Sequence, residues 1–200
     1  MSKEAILESA AQVIRQKGFH GASMADIAEA VDLQKASLYH HFGSKQEILL
    51  ELLDRALEMV SGRMSAVMAL DVPADEKLRL AMRAYLKTLS EQGDLVSVLL
   101  LEHRSLDPEF HSRHIPNRDR FEMMWQDLLE QGVAEGLFQC ADIPLTVRGL
   151  MGVMNWTITW YRPDGSLSIE AISDHFADVW LAGIEKKQPK VEKREKRKGK

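Results

Sequence analysis

The chain has 200 residues, 45% of them hydrophobic, enough to fill the core of one medium domain or of a small domain joined to a larger one. Cys140 is the only cysteine, which excludes an internal disulfide and any four-cysteine or Cys/His zinc site, so the fold rests on packing. Net charge is −4, by itself a weak argument against nucleic acid, but residues 186–200 hold nine Lys or Arg against Glu192 and Glu195, a local +7 that leaves residues 1–185 at −11. No run approaches the roughly 18 apolar residues of a membrane span. The charged, amphipathic start is no export signal, and a cytoplasmic location is expected.

The first 60 residues lack proline, and their apolar positions recur at helical spacing. The spacing predicts a first helix over about Lys3–Lys17, with Ile6, Ala10, Val13 and Ile14 on one face, Gly18 as its cap and Phe19 as a core plug. Ser23 precedes Met24, Ile27, Ala28 and Val31 and caps a short second helix, with Asp26 at its positive end. A third helix begins near Gln34 or Lys35, buries Leu38 and Phe42 and ends at Gly43. Ser44 and Glu47 match a capping box that opens a long amphipathic helix through Leu49, Leu52, Leu53, Ala56, Leu57, Val60 and Met64.

Pro73 starts a helix that runs to about Gln92 and is stopped by Gly93, and Leu95–His103 reads as a helix buried on several sides. Asp107-Pro108 and Pro116 break a polar region, after which helices are expected over Arg118–Glu135 and Pro144–Trp160. Arg162-Pro163-Asp164-Gly165 is turn chemistry. Ser168 caps a last helix with Ile169, Ile172, Phe176, Val179 and Gly183 on one stripe. Beyond Lys187 charge is dense and almost nothing apolar remains, so residues 188–200 read as a disordered basic tail, either solubilising or adding nonspecific DNA affinity.

Residues 24–42 fit a short helix, a tight turn and a second short helix that can lie in a DNA major groove. With Leu38 and Phe42 turned inward, Gln34, Lys35, Ser37, Tyr39, His40 and His41 remain outside as donors and rings suited to DNA. Gly18-Phe19-His20-Gly21-Ala22-Ser23-Met24-Ala25-Asp26-Ile27-Ala28-Glu29-Ala30-Val31, Lys35-Ala36-Ser37-Leu38-Tyr39-His40-His41-Phe42 and Ser44-Lys45-Gln46-Glu47-Ile48-Leu49 resemble the N-terminal signature of the tetracycline-repressor (TetR) family.

The resemblance implies an all-α fold: a three-helix helix-turn-helix DNA-binding domain over 1–45, then a helical ligand-binding and dimerisation domain over 46–187. It implies that Tyr39, His40 and Lys45 meet the DNA backbone, that Gln34, Lys35 and Ser37 approach base edges or neighbouring phosphates, and that Ser23 joins them. The amide end of the fourth helix at Lys45 independently suits a phosphate. Four positions depart from the family's usual residues: Ala22 for threonine, Asp32 for the turn glycine, Gln34 for serine and Ala36 for glycine. Ala22 removes a phosphate contact, and Asp32 must take a conformation glycine adopts easily.

The same resemblance implies a homodimer on double-stranded operator DNA, joined through the last two long helices, with repression relieved by a small hydrophobic effector. Gly149 and Gly152 permit close helix approach, and Trp156, Trp160, Phe176 and Trp180 offer aromatic area, although each could instead pack its own subunit's core. Phe121, Met124, Trp125 and Leu128 form a stripe that Met151 and Met154 could face across an apolar cavity, with ordinary core packing the alternative. Asn155-Trp156, Trp160-Tyr161-Arg162-Pro163-Asp164-Gly165, Leu167-Ser168 and Asp174-His175-Phe176 resemble the C-terminal segment of TetR-type regulators of fatty-acid or sterol-ring degradation, which sense acyl-CoA thioesters. Arg104, Arg113, Arg118 and Arg120 could meet the phosphates of such a ligand, or form a solvated basic loop.

His103, His111 and His114 with Glu102, Asp107 and Glu109 match no metal spacing, no cofactor motif is present, and no nucleophile elbow, phosphate loop or His-Glu-x-x-His pair suggests an enzyme. A different class of function, a helical interaction protein that binds a partner through its aromatic C-terminal face, would leave DNA unread.

Overall fold

Side-chain caps start five of the nine α-helices found among the described residues, 2–185 of a computed structural model. Ser2 accepts from Ala5 N and opens α1 (Lys3–Gly21), and Ser23 opens α2 (Met24–Glu29). Helix α3 (Lys35–Tyr39) has no side-chain cap. Ser44 then opens α4 (Lys45–Met68), followed by α5 (Ala74–Glu91) and α6 (Gly93–Glu102) with a 3₁₀ turn at His103–Ser105. Helix α7 (Pro108–Ala134) begins with proline at its first turn, where no N–H is needed. Asp142 and Ser168 cap α8 (Ile143–Trp160) and α9 (Ile169–Ile184).

Helices α1–α3 form a head on the first half of α4, its core built from Ile6, Ile14, Phe19, Ile27, Leu38, Phe42, Ile48 and Leu49. Gly18 takes φ +71, as its capping position requires, and one further turn carries α1 to Gly21. In the body α5 is the axis, packed against α4, α6, α7, α8 and α9. Lys77, almost fully buried, donates to Met68 O at 3.1 Å and Gln131 Oε1 at 3.3 Å, while Glu135 accepts from Ala74 N at 2.9 Å. The Ala74 amide, then Gln131, holds the Glu135 carboxyl below its ordinary range. Arg79 and Arg83 pair with Asp178 and Asp174 and pin α9 to α5. At the end of α9, Gln139 N donates to Ile184 O at 2.7 Å beside an isolated bridge between Phe138 and Glu185.

Three expectations are corrected. The region of Asp107-Pro108 and Pro116 is no break: it forms the first turns of α7, with Pro116 inside the helix. His114 and Asn117 flank that proline and both bind Asp54 Oδ1 of α4, at 3.2 and 3.1 Å, while Phe110 packs on the core, so tertiary contacts outweigh the single lost backbone bond. Helix α3 ends at Tyr39, four residues before Gly43, and backbone bonds from His40 N to Ser37 O and from His41 N and Phe42 N to Leu38 O continue it as a turn. On α9 the buried stripe is Ile169, Ile172, Ser173, Ala177, Leu181 and Ile184, whereas Val179 is exposed and Phe176 half-buried, because the helix is apolar on two faces. The proposed basic tail lies outside the described residues.

Gly132 lets α7 run past the Phe138 ring: a Cβ added there would sit 2.0 Å from Phe138 Cδ2, and Phe138 N and Leu137 N both bind Gly132 O. Gly132→Ala is expected to destabilise the body by about 1–3 kcal/mol, read as a lower midpoint in denaturant at unchanged m-value.

Candidate DNA-reading head and effector cavity

In the head, Ser23 Oγ accepts from Asp26 N at 3.1 Å while Asp26 Oδ2 accepts from Ser23 N at 2.8 Å, a reciprocal cap on α2. Lys17, then Ser23, holds the Asp26 carboxyl far below its ordinary range. Asp32 turns the chain between α2 and α3 at φ +52, the left-handed conformation expected of the position. On α3 Leu38 is fully buried, and Gln34, Lys35, Tyr39, His40 and His41 are exposed with Ser37 half-buried, so these side chains share an outward surface. The Lys35 ammonium lies 5.9 Å from the Tyr39 ring centroid.

Lys45 occupies the first position of α4, but its ammonium donates to Phe19 O and Ala22 O, both at 2.6 Å, and lies over the Phe19 ring. It ties the end of α1 to α4. Glu47 accepts from Gly43 N at 2.7 Å and sets a carboxylate at the amide end of α4, where an anion would otherwise be drawn. Lys3, Arg15 and Lys17 are paired with Glu51, Asp94 and Asp26, and Lys45 with backbone carbonyls, which leaves Lys35, among the described residues, as the head's lysine or arginine with neither kind of partner.

A cavity of about 290 Å³ opens between α4, α5, α6, α7 and α8, lined by Leu57, Tyr85, Leu99, Phe121 and Met151 and by polar groups that include His103, His114 and Arg118. Of the expected ligand residues, Phe121 and Met151 stand in its wall. Trp125, Leu128 and Met154 lie beneath it in the core, Met124 is half-buried away from it, and Arg104 is exposed outside it. Trp125 meets Tyr85 and Phe121 edge-on at 6.1 and 6.4 Å. The helical period found this stripe but not which members face a void. Arg148 of α8, which stands at the rim 3.4 Å from Glu122, was missed because nothing in the local sequence marks it. Burial, helped by the charge of Arg104, pushes the His103 imidazole below its ordinary value. A second hollow of about 220 Å³ beside α1 is edged by Glu8, Glu91 and Asp94 against Arg55, a poor setting for an anionic ligand.

Gly149 packs on Trp180 of its own subunit, 3.1 Å from an added Cβ, whereas a Cβ added at Gly152 would meet no other side chain or segment within 4 Å. Trp156 is 66% and Trp160 43% exposed, Val153 and Val179 are exposed beside them, and Phe176 and Trp180 are half-buried.

A short helix, a tight turn and a second helix whose polar face points outward, carried on a larger helical body, define a helix-turn-helix DNA-binding regulator. Residues 6–52 match the family "Bacterial regulatory proteins, tetR family" and residues 71–184 match "Tetracyclin repressor-like, C-terminal domain". The chain belongs to the TetR family of transcriptional regulators. It is 28% identical over 189 residues to the HTH-type transcriptional repressor KstR2 of Mycolicibacterium smegmatis, covering 93% of this chain and 92% of that protein. The crystal structure of the TetR-family regulator PfmR from Thermus thermophilus superposes with TM-score 0.82 at 36% identity over 88% of this chain and 97% of its own. AibR, crystallised with isovaleryl coenzyme A and operator DNA, superposes with TM-score 0.82 at 28% identity over 88% of this chain and 96% of its own. These relatives are regulators of transcription, and none of the helices described is long and apolar enough to cross a membrane.

The engagement of Lys45 separates two roles. Lys35→Gln is expected to lower the slope of log affinity for DNA against log salt by about 0.9 per subunit. Lys45→Gln is expected to leave that slope alone and to lower stability by about 1–3 kcal/mol, the cost of orphaned carbonyls; titrations at several salt concentrations and a denaturation curve check both.

Proposed function

We propose that the chain is a homodimeric repressor that sets α3 of each subunit into successive major grooves of a palindromic operator, and that an acyl-CoA thioester seated in the α4–α8 cavity releases it. The observation that carries this reading is the division of the cavity. Leu57, Leu99, Phe121 and Met151 offer an apolar interior, and Arg118 and Arg148 stand at its exposed edge. An acyl arm suits the first and a phosphorylated carrier the second. The volume lies at the small end of ligand cavities, which favours a short acyl group. The AibR complex with isovaleryl coenzyme A lends support, since that protein shares this fold.

Gln34, Lys35 and Ser37 are the residues proposed to read bases or adjoining phosphates, and Ser23, Tyr39 and His40 to hold the backbone. Dimerisation is assigned to the outer faces of α8 and α9, where Trp156 and Trp160 form an exposed apolar patch that soluble monomers seldom leave open. Release is then a population shift: a ligand that prefers the conformation with mis-spaced α3 helices weakens DNA binding by its differential affinity for the two states.

Fluorescence anisotropy on fragments from upstream of the chain's own gene tests the whole reading. Tight, sequence-dependent binding is expected, lost on adding butyryl-CoA and retained with butyrate. Binding indifferent to both would keep the repressor and discard the thioester. Trp156→Asp is expected to convert the dimer to monomer in sedimentation and to weaken operator binding about a hundredfold through lost bivalency.

A further inference from the structure

The cavity wall contains a polar atom that no protein group meets. His114 is 1% exposed, lines the cavity, and its Nε2 has no hydrogen-bond partner among the described residues. The other ring nitrogen is committed: Nδ1 lies 3.2 Å from Asp54 Oδ1, the same oxygen that accepts from Asn117 Nδ2. An ionised carboxylate can only accept, so Nδ1 carries the proton, and in the neutral ring Nε2 is an acceptor. Buried polar atoms in folded proteins nearly always have a partner, and one left without is destabilising.

Neighbouring groups do not supply it. The Tyr85 hydroxyl is donated to Asn155 Oδ1 at 2.5 Å, and no hydrogen bond joins the His103 ring to His114 Nε2. No cluster of His, Cys, Asp and Glu among the described residues could hold a metal ion, which leaves a water in the cavity or a donor group of a bound ligand as the partner.

Resting on the effector reading above, we infer that His114 Nε2 selects the ligand by accepting a hydrogen bond from a hydroxyl or amide N–H in its buried part. Two parts of an acyl-CoA carry such a donor: a hydroxyl on the acyl chain, or an amide of the pantetheine arm. Asp54 belongs to α4 and His114 to α7, so the ring that would bind the effector also ties α7 to the helix that carries the head.

Titration calorimetry of the full chain and of His114→Phe, with β-hydroxybutyryl-CoA and butyryl-CoA as probes, tests this. If the donor is the acyl hydroxyl, the native chain prefers the hydroxylated thioester by about tenfold and the variant loses the preference. If it is the pantetheine amide, the native chain binds both alike and the variant binds both about tenfold more weakly. Native binding that His114→Phe leaves unchanged would overturn the inference while the thioester reading stands. Binding of neither probe by the native chain removes both. The variant keeps a ring of similar size but loses the Nδ1 bond to Asp54 together with the unpartnered nitrogen, so its midpoint in the absence of ligand is expected to fall modestly, by the worth of about one hydrogen bond. Imidazole nitrogen NMR of the native chain needs no variant: His114 Nε2 should resonate as an unprotonated acceptor and shift on ligand addition, and an unmoved signal in a saturated sample contradicts the inference.

Discussion

Helix α4 must satisfy two cores at once, and most of the architecture depends on this. Its 24 residues span about 36 Å at 1.5 Å per residue, with ten of them buried. Ile48, Leu49 and Leu52 fall in its first half, packed on the head, and Leu57, Val60 and Met64 in its second, packed on the body. Helices α2 and α3, with six and five residues, are too short to persist without packing. Their order comes from α1 and α4, so the surface that meets DNA is only as fixed as the burial of α4. Lys45 serves this same joint by holding the carbonyls at the end of α1.

What could be read from the sequence was chiefly what is local. Ser23, Ser44 and Ser168 cap the helices their spacing announced, and Asp32 takes the left-handed turn its position demanded. The inward pair Leu38 and Phe42 left the right polar set outside. Contacts between distant segments were not legible. Asp54 and His114 are 60 residues apart, and nothing in either neighbourhood announces the pair that keeps Pro116 inside a helix. Helical periodicity placed Phe121, Trp125 and Leu128 on one stripe, but whether a buried side chain faces a cavity or another side chain depends on the opposing helix. The Lys45 ammonium illustrates the same limit, since a cation at a helix start reads as a phosphate ligand until the carbonyls of another helix are seen beside it.

Charge imposes a further constraint on the head. The described chain is acidic, and the head's cations other than Lys35 are already engaged. Among the described residues, phosphate attraction by excess positive charge, the usual source of nonspecific affinity, is therefore thin. The outward face of α3 instead presents neutral polar groups on Gln34, Ser37, Tyr39 and His40, and under the proposed reading these carry more of the interaction and depend on geometry. A head built this way responds sharply to a change in the distance between two α3 helices, which suits a regulator controlled by conformation.

The cavity wall and the head are joined by the packing of α6 on α1 and α4, and by a hydrogen-bonded clamp after α6. Leu99 and His103 stand in the cavity wall, and Ser105 and Asp107 follow within the next four residues. Gln46, at the second position of α4, donates to Ser105 O at 3.0 Å and accepts from Asp107 N at 3.1 Å, so one amide clamps both sides of this turn. Each such bond contributes on the order of 1 kcal/mol, and allosteric coupling free energies are typically about 1–3 kcal/mol. Two such bonds together reach the scale of a coupling free energy, so Gln46 is where the proposed release would bear on the start of α4.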